Sequence, residues 1–223
     1  MFTVETEARV AVDSPDHLFP WGTANDNHTS EIMLDELREY FGRPYSIMDL
    51  GCSGGQSIID AISKGNVAIG LEGSDYSWKN KRANWTEENY NKILFTCDVA
   101  KPFQVLNDSV PFKFDIITAW EFLEHIHPDE LDQMFANVNN HLVDGGLFIG
   151  QYAIGTDEHM FFDPRVGHHV NVDLHQSVHP VSWWNDKFDS LGYFENLGQY
   201  PFKGAVRDYN EVWHKKFYLK KKV

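Results

Sequence analysis

Five short apolar runs recur along the chain: YSIMDL (45–50), VAIGLE (67–72), ILFTC (93–97), FDIITAW (114–120) and GLFIGQYA (146–153). Near-continuous apolar character over so short a length is the signature of a strand buried on both faces. Between most of these runs, at 56–64, 76–85 and 128–142, apolar positions return at helical spacing instead. Upstream, SEIMLDELREYF (30–41) carries Ile32, Met33, Leu37 and Tyr40 at that spacing, with Ser30 placed to cap the helix and Gly42 to stop it. This alternation predicts an α/β fold, a mostly parallel sheet covered by helices on both faces.

After Tyr152 the rhythm breaks. A polar and aromatic stretch, 154–180, is longer than an ordinary connection and reads as a substrate lid. A helix at 181–191 and strands near 193–198 and 211–219 complete the pattern. No repeat, low-complexity tract or linker intervenes, so the 223 residues read as one domain: an N-terminal segment and helix (1–44), a core (45–153), the lid (154–180) and a C-terminal helix and strands (181–223).

Charge narrows the partners. Asp and Glu number 33 against 19 Lys and Arg, a formal charge of −14 that repels a phosphate backbone and disfavours nucleic acid. The one basic stretch, 215–222, alternates with Phe217, Tyr218 and Leu219 and reads as a solvated strand and tail. Cys52 and Cys97 form no CxxC pair, which argues against a disulfide framework or a thiolate zinc site and suits a reducing compartment. With no secretory leader pattern and no run near the ~20 apolar residues of a membrane span, the expectation is a soluble, cytoplasmic protein without a membrane partner. The sequence is silent on oligomeric state.

The first run ends in MDLGCSGGQS (48–57). Asp49 closes a strand, Gly51, Gly54 and Gly55 permit a tight turn, and Gln56 opens a helix whose free N–H groups face the turn. Glu72, ending the second run, is placed to accept both hydroxyls of a ribose. Asp98, just past the third, is placed to accept from an adenine amino group. All three fall on the carboxyl edge of the sheet, where open α/β sheets bind ligands.

Taken in order, DLGCSGG, LEGSD, CDVA, FDIITAWEFLEH and LVDGGLFIG resemble the motif set of the class I S-adenosylmethionine-dependent methyltransferases, over residues 45–151. The resemblance implies their Rossmann-like fold of seven strands, the last antiparallel, and S-adenosylmethionine as methyl donor. It also implies cofactor contacts from Asp49, Gly51, Ser53, Gly55, Glu72, Gly73, Asp98, Val99 and Trp120. Ser53 stands where the family carries the middle glycine of its turn. An acidic Asp49 beside the turn suits the ammonium of this cofactor and not a pyrophosphate.

In WEFLEH (120–125), Glu121, Glu124 and His125 have the ExxEH spacing of metal-dependent relatives, which resemble this chain and methylate RNA terminal riboses or quinone precursors. There a divalent ion such as Mg or Mn would be held by Glu121, Glu124, His125 and a later histidine, His169 among them, and would orient and acidify the acceptor. The alternative is a metal-free EH pair, the glutamate bonding local backbone and the histidine packing beside the cofactor. His168, His169, His175 and His179 all lie in the long segment, and any could approach.

HHVNV followed by HPVSWW also resembles methyltransferases that act on sugars or glycans. On that reading His168, Asn171, Tyr152 and Trp184 meet a sugar-like acceptor, His125 or His169 is the base, and Glu121 assists. The expected activity is therefore O-methylation of a small polyhydroxylated acceptor, a small molecule or glycan. Its rivals are the metal-dependent reading and, from another class, a non-catalytic cofactor-binding partner subunit.

Overall fold

The computed structural model of the chain describes residues 1–20, 27–155, 159–206 and 212–223. In chain order the strands are β1 (Phe2–Thr6), β2 (Ser46–Leu50), β3 (Val67–Glu72), β4 (Leu94–Thr96), β5 (Phe103–Asn107), β6 (Val110–Pro111), β7 (Phe114–Trp120), β8 (Leu142–Ala153), β9 (His159–Asp163), β10 (His168–Val172), β11 (Phe194–Asn196) and β12 (His214–Lys221). The helices are α1 (Pro15–Leu18), α2 (Glu31–Phe41), α3 (Gln56–Ser63), α4 (Tyr76–Lys79), α5 (Leu131–His141) and α6 (Val181–Ser190).

Seven strands form one sheet in the order β11-β12-β8-β7-β2-β3-β4. Six run the same way, and β12 alone is antiparallel to both its neighbours. The chain order reverses direction across the sheet between β2 and β7, so the carboxyl ends of these strands open a crevice there.

Alternate residues of each strand enter opposite cores. Met48, Leu50, Ile69, Leu71, Ile117 and Phe148 pack with Leu131, Met134 and Phe135 of α5 and with Trp184 and Phe188 of α6. Ile47, Ala68, Ile116 and Ile149 pack on the other side with Met33, Leu34 and Leu37 of α2 and Ile58 and Ala61 of α3. Two-sided burial is what removed polar residues from the strands. The stretch read as a solvated strand and tail is a strand, β12, but it lies inside the sheet, with Phe217 and Leu219 in one core and Tyr218 in the other.

Local chemistry sets the element ends. The Ser30 hydroxyl accepts from Met33 N–H at 3.2 Å to cap α2, and Gly42 ends it in the left-handed conformation. The helix expected over 76–85 stops after one turn, because Lys81 and Ala83 take positive φ and fold the chain back toward the glycine turn. There Trp85, fully buried, donates its indole N–H to Ser53 O at 2.6 Å.

The segment read as a lid forms the β9–β10 hairpin. Residues 156–158 within it, and Glu211 where the last strand was expected to begin, lie outside the described residues. A small sheet of β1, β5 and β6, absent from the sequence reading, flanks the core. Among the described residues no helix is long and apolar enough to cross a membrane.

Candidate active site

A cavity of about 460 Å³ lies over the carboxyl ends of β2, β3, β4 and β7. One end is lined by Asp49, Gly51, Ser53, Glu72, Gly73, Asp98 and Val99, the other by Trp120, Glu121, His125, His175 and His214.

At the first end, Gly51 has φ 67, and a Cβ there would sit 2.6 Å from the Phe122 ring. Only glycine serves at that position. Ser53, two residues on, also has positive φ (47), and this conformation aims its N–H at Glu72 Oε2, 2.9 Å away. The other Glu72 oxygen accepts from Ser74 N–H at 3.2 Å. Burial pushes the Glu72 carboxyl up to about 7; the two N–H groups oppose that shift, and nearby Asp16 adds to it.

Asp49 accepts from the hydroxyls of Thr118 at 2.6 Å and Ser57 at 2.8 Å. Burial still pushes it up to about 6. Asp98 is raised by burial as well, against the Ala100 N–H that it accepts at 3.0 Å. Gly55 is buried beneath the turn, where its Cβ would meet Leu94, and it does not line the cavity.

At the second end, β7 finishes at Trp120 and the chain makes a left-handed step at Glu121, φ 52. A non-glycine residue in that region is held there by its surroundings: Glu121 N–H donates to Gln151 O at 3.0 Å and its carboxylate meets His214 Nδ1 at 2.6 Å. Glu124 is fully buried; its Oε1 accepts from Ala153 N–H at 3.0 Å, while Oε2 has no hydrogen-bond partner among the described residues. Burial raises its carboxyl in spite of nearby His125.

His125 Nδ1 lies 2.8 Å from Asp16 of α1. Burial alone would lower the imidazole, yet Asp16 foremost, then Glu124 and Glu121, raise it to about 9. It is therefore doubly protonated at neutral pH.

The histidine-rich segment reaches this end by one seam. Gln176 and Ser177 N–H donate to Glu124 O at 2.7 and 2.9 Å, the Gln176 amide donates to His125 O and the Ser177 hydroxyl to Ile126 O. That seam brings His175 edge-on to His125, ring centres 4.8 Å apart. His168, His169 and Asn171 sit upstream on β10, exposed and outside the cavity lining. Among the described residues their two strands pair with each other in a sheet separate from the seven-stranded one.

Tyr152 and Trp184 are also elsewhere, in the core between β8 and α6 with ring centres 4.9 Å apart. Alternation along β8 and the buried stripe of α6 send them there. Asp16 and His214 escaped the sequence reading. Nothing in PDHL marks Asp16, and the only signal for His214 was its place at the start of a period-2 strand.

Among the described residues, two triads bring ligand atoms within 4.8 Å of one another: Glu124, His125 and His175, and Glu121, Glu124 and His214. Glu124 is common to both, and its unpartnered buried oxygen fits an ion's need for an anionic donor. His169 is in neither.

A family model described as a methyltransferase domain matches residues 26–194. A search of curated proteins finds no match. Among solved structures, the chain is similar to an S-adenosylmethionine-dependent methyltransferase from Clostridium acetobutylicum, with 16% identity, TM-score 0.59 and coverage of 93% of this chain and 96% of that one. It is also similar to 1,6-didemethyltoxoflavin-N1-methyltransferase from Burkholderia thailandensis, solved with 1,6-didemethyltoxoflavin and S-adenosylhomocysteine, with 15% identity, TM-score 0.56 and coverage of 93% and 84%. By the family match and the seven-stranded fold, the chain belongs to the class I S-adenosylmethionine-dependent methyltransferases.

Proposed function

We propose that the protein methylates an oxygen of a small polyhydroxylated, sugar-like acceptor. S-adenosylmethionine, when bound, supplies an electrophilic methyl group on a sulfonium. Asp49, Gly51 and Ser53 hold its amino acid end, Glu72 accepts from the ribose hydroxyls, and Asp98, with Gly73 and Val99, receives the adenine. Trp120 lines the same cavity.

The observation that carries the reading is the Glu121–His214 pair at 2.6 Å at the acceptor end. With the Glu121 carboxylate beside its Nδ1, His214 offers its second nitrogen as a base for an acceptor hydroxyl. His125, held cationic, is a donor instead. A base and a donor side by side suit neighbouring hydroxyl groups, one losing a proton and the next accepting a hydrogen bond. A cavity lined by Asp16, Glu72, Asp98 and Glu121 also suits a neutral acceptor better than a polyphosphate chain.

Methyl-labelled S-adenosylmethionine offered to a panel of methyl glycosides, free sugars, amines and RNA tests this. The expected product is a labelled methyl ether of a polyhydroxylated compound. His214→Ala and Glu121→Gln should then cost roughly 10²–10⁴-fold in turnover, the usual worth of a general base, with S-adenosylhomocysteine binding retained. Label found only on nitrogen or only on RNA overturns the proposal.

A second reading follows from the two triads around Glu124. A divalent ion held by Glu121, Glu124 and His214, or by Glu124, His125 and His175, would polarise an acceptor oxygen. Turnover unchanged by a chelator and by Glu124→Gln removes that reading.

A further inference from the structure

The N-terminal segment after β1 is a wall of the cavity that no strand-end motif contains. Ala11, Ser14, Asp16 and Pro20 all line it. The segment crosses the ends of β3 and β4 on two backbone bonds: Ala11 N–H donates to Gly73 O and Asp98 N–H donates to Ala8 O, both at 2.9 Å. These are the strand ends on which the nucleoside half of the cofactor would rest. It then reaches the acceptor end, where Asp16 meets His125 at 2.8 Å. Phe19, further on, lies under the Arg165 guanidinium of the β9–β10 turn at 4.8 Å.

The attachments are shallow. No side chain from Ala8 to Phe19 is buried, and α1 contributes nothing to either core. Its apolar anchors flank it, Val4 in β1 before it and Pro20, buried, at its far end. A stretch held by a few bonds at its edges, with a fixed strand behind it, opens at far lower cost than the sheet beneath it.

We propose that residues 8–20 form the gate through which the cofactor enters and leaves, latched by the Asp16–His125 pair. The gate rests on the reading of the cavity as the cofactor site. Its latch makes Asp16 a positioning residue: closing over the cofactor is the same event that orients His125 at the acceptor end. An acceptor therefore meets an ordered His125 only after the donor is enclosed.

A cross-link supplies the sharpest test. A Cβ built on Gly73 would lie 3.4 Å from Ala11 Cβ, close to the ~3.5 Å short end of disulfide spans. Native Cys52 and Cys97 are both buried, so Ala11→Cys with Gly73→Cys is oxidised selectively. Binding of S-adenosylhomocysteine by the full chain is followed through tryptophan fluorescence, Trp120 being in the wall.

The oxidised double variant should take up the ligand at least about tenfold more slowly than the same protein after dithiothreitol. Asp16→Asn and His125→Gln should each raise association and dissociation rates together, by about tenfold for loss of one close charge pair, and the double variant should add nothing further. Uptake at equal rates with and without the disulfide overturns the gate. So does Asp16→Asn raising dissociation alone, which marks a direct ligand contact, or leaving both rates unchanged. A folded wild type that binds no S-adenosylhomocysteine removes the cofactor reading, and the gate with it.

Discussion

Glu72→Gln should stabilise the ligand-free protein in mild alkali and destabilise it in acid. The wild-type carboxyl has a folded value near 7 against an ordinary 4.5, because burial penalises its ionised form. A folded pKa above the unfolded one means that the folded chain keeps a proton which the unfolded chain releases. The associated stability is fully present below pH 4.5 and is lost as pH rises to 7. At ~1.4 kcal/mol per pKa unit, the loss reaches about 3 kcal/mol. The glutamine escapes it. Its amide offers one acceptor where the carboxylate met both Ser53 and Ser74 N–H, however, and that costs about 1 kcal/mol at any pH.

The net expectation is a variant more stable by about 2 kcal/mol at pH 8 and less stable by about 1 kcal/mol at pH 4, crossing near pH 5. Urea denaturation of both proteins across this range reads the difference directly, and other titrating groups cancel in it to the extent that they are unperturbed by the substitution. A variant-minus-wild-type stability that stays flat from pH 5 to 8 refutes the reasoning. So would a rise in the opposite sense. The same raised carboxyl predicts that S-adenosylhomocysteine affinity of the wild type weakens as pH falls below 7, since the ribose hydroxyls seek the ionised form, and that Glu72→Gln removes this dependence.

Gly150→Ala should fail to give folded protein, judged by circular dichroism and gel filtration, because its Cβ would fall 1.7 Å from Ala119 O in the β7–β8 contact. Gly51→Ala combines φ 67 with a 2.6 Å approach to Phe122, and should cost about 2 kcal/mol in urea denaturation and weaken S-adenosylhomocysteine binding in calorimetry. Trp184→Ala should cost about 3–5 kcal/mol as a core truncation, whereas His169→Ala should leave denaturation midpoint and ligand affinity unchanged.

The cofactor end was legible in the sequence for a topological reason. Parallel strands joined by crossovers all deliver their carboxyl ends to one edge, so Asp49, Glu72 and Asp98 converge once the apolar runs are recognised. The β1–β5 pairing joins Thr3 to Leu106, and no local periodicity announces a contact of that range. The 76–85 helix failed on two residues, Lys81 and Ala83, whose left-handed backbone reflects the anchoring of Trp85 against Ser53 and not their own propensity. Histidine spacing was the weakest guide. Among His168, His169, His175 and His179, the one that reaches His125 is decided by backbone bonds from Gln176 and Ser177 to Glu124.

That contrast explains how the site divides its labour. The donor end depends on strand order, which the sheet holds rigidly through two cores. The acceptor end draws Asp16 from the N-terminal segment, Glu121 and His125 from the turn after β7, His175 from the end of the long segment and His214 from the last strand. Glu121 follows directly on β7 and His214 opens β12, both strands of the sheet, so these two form a pair set by it, while Asp16 and His175 approach His125 from segments outside the sheet. On the proposed assignment, a base on that pair would keep its distance from the methyl donor whatever the acceptor. The side outside the sheet can be reshaped without disturbing that geometry, and changes of acceptor are therefore expected to concentrate in residues 8–20 and 174–177, leaving Glu121 and His214 in place.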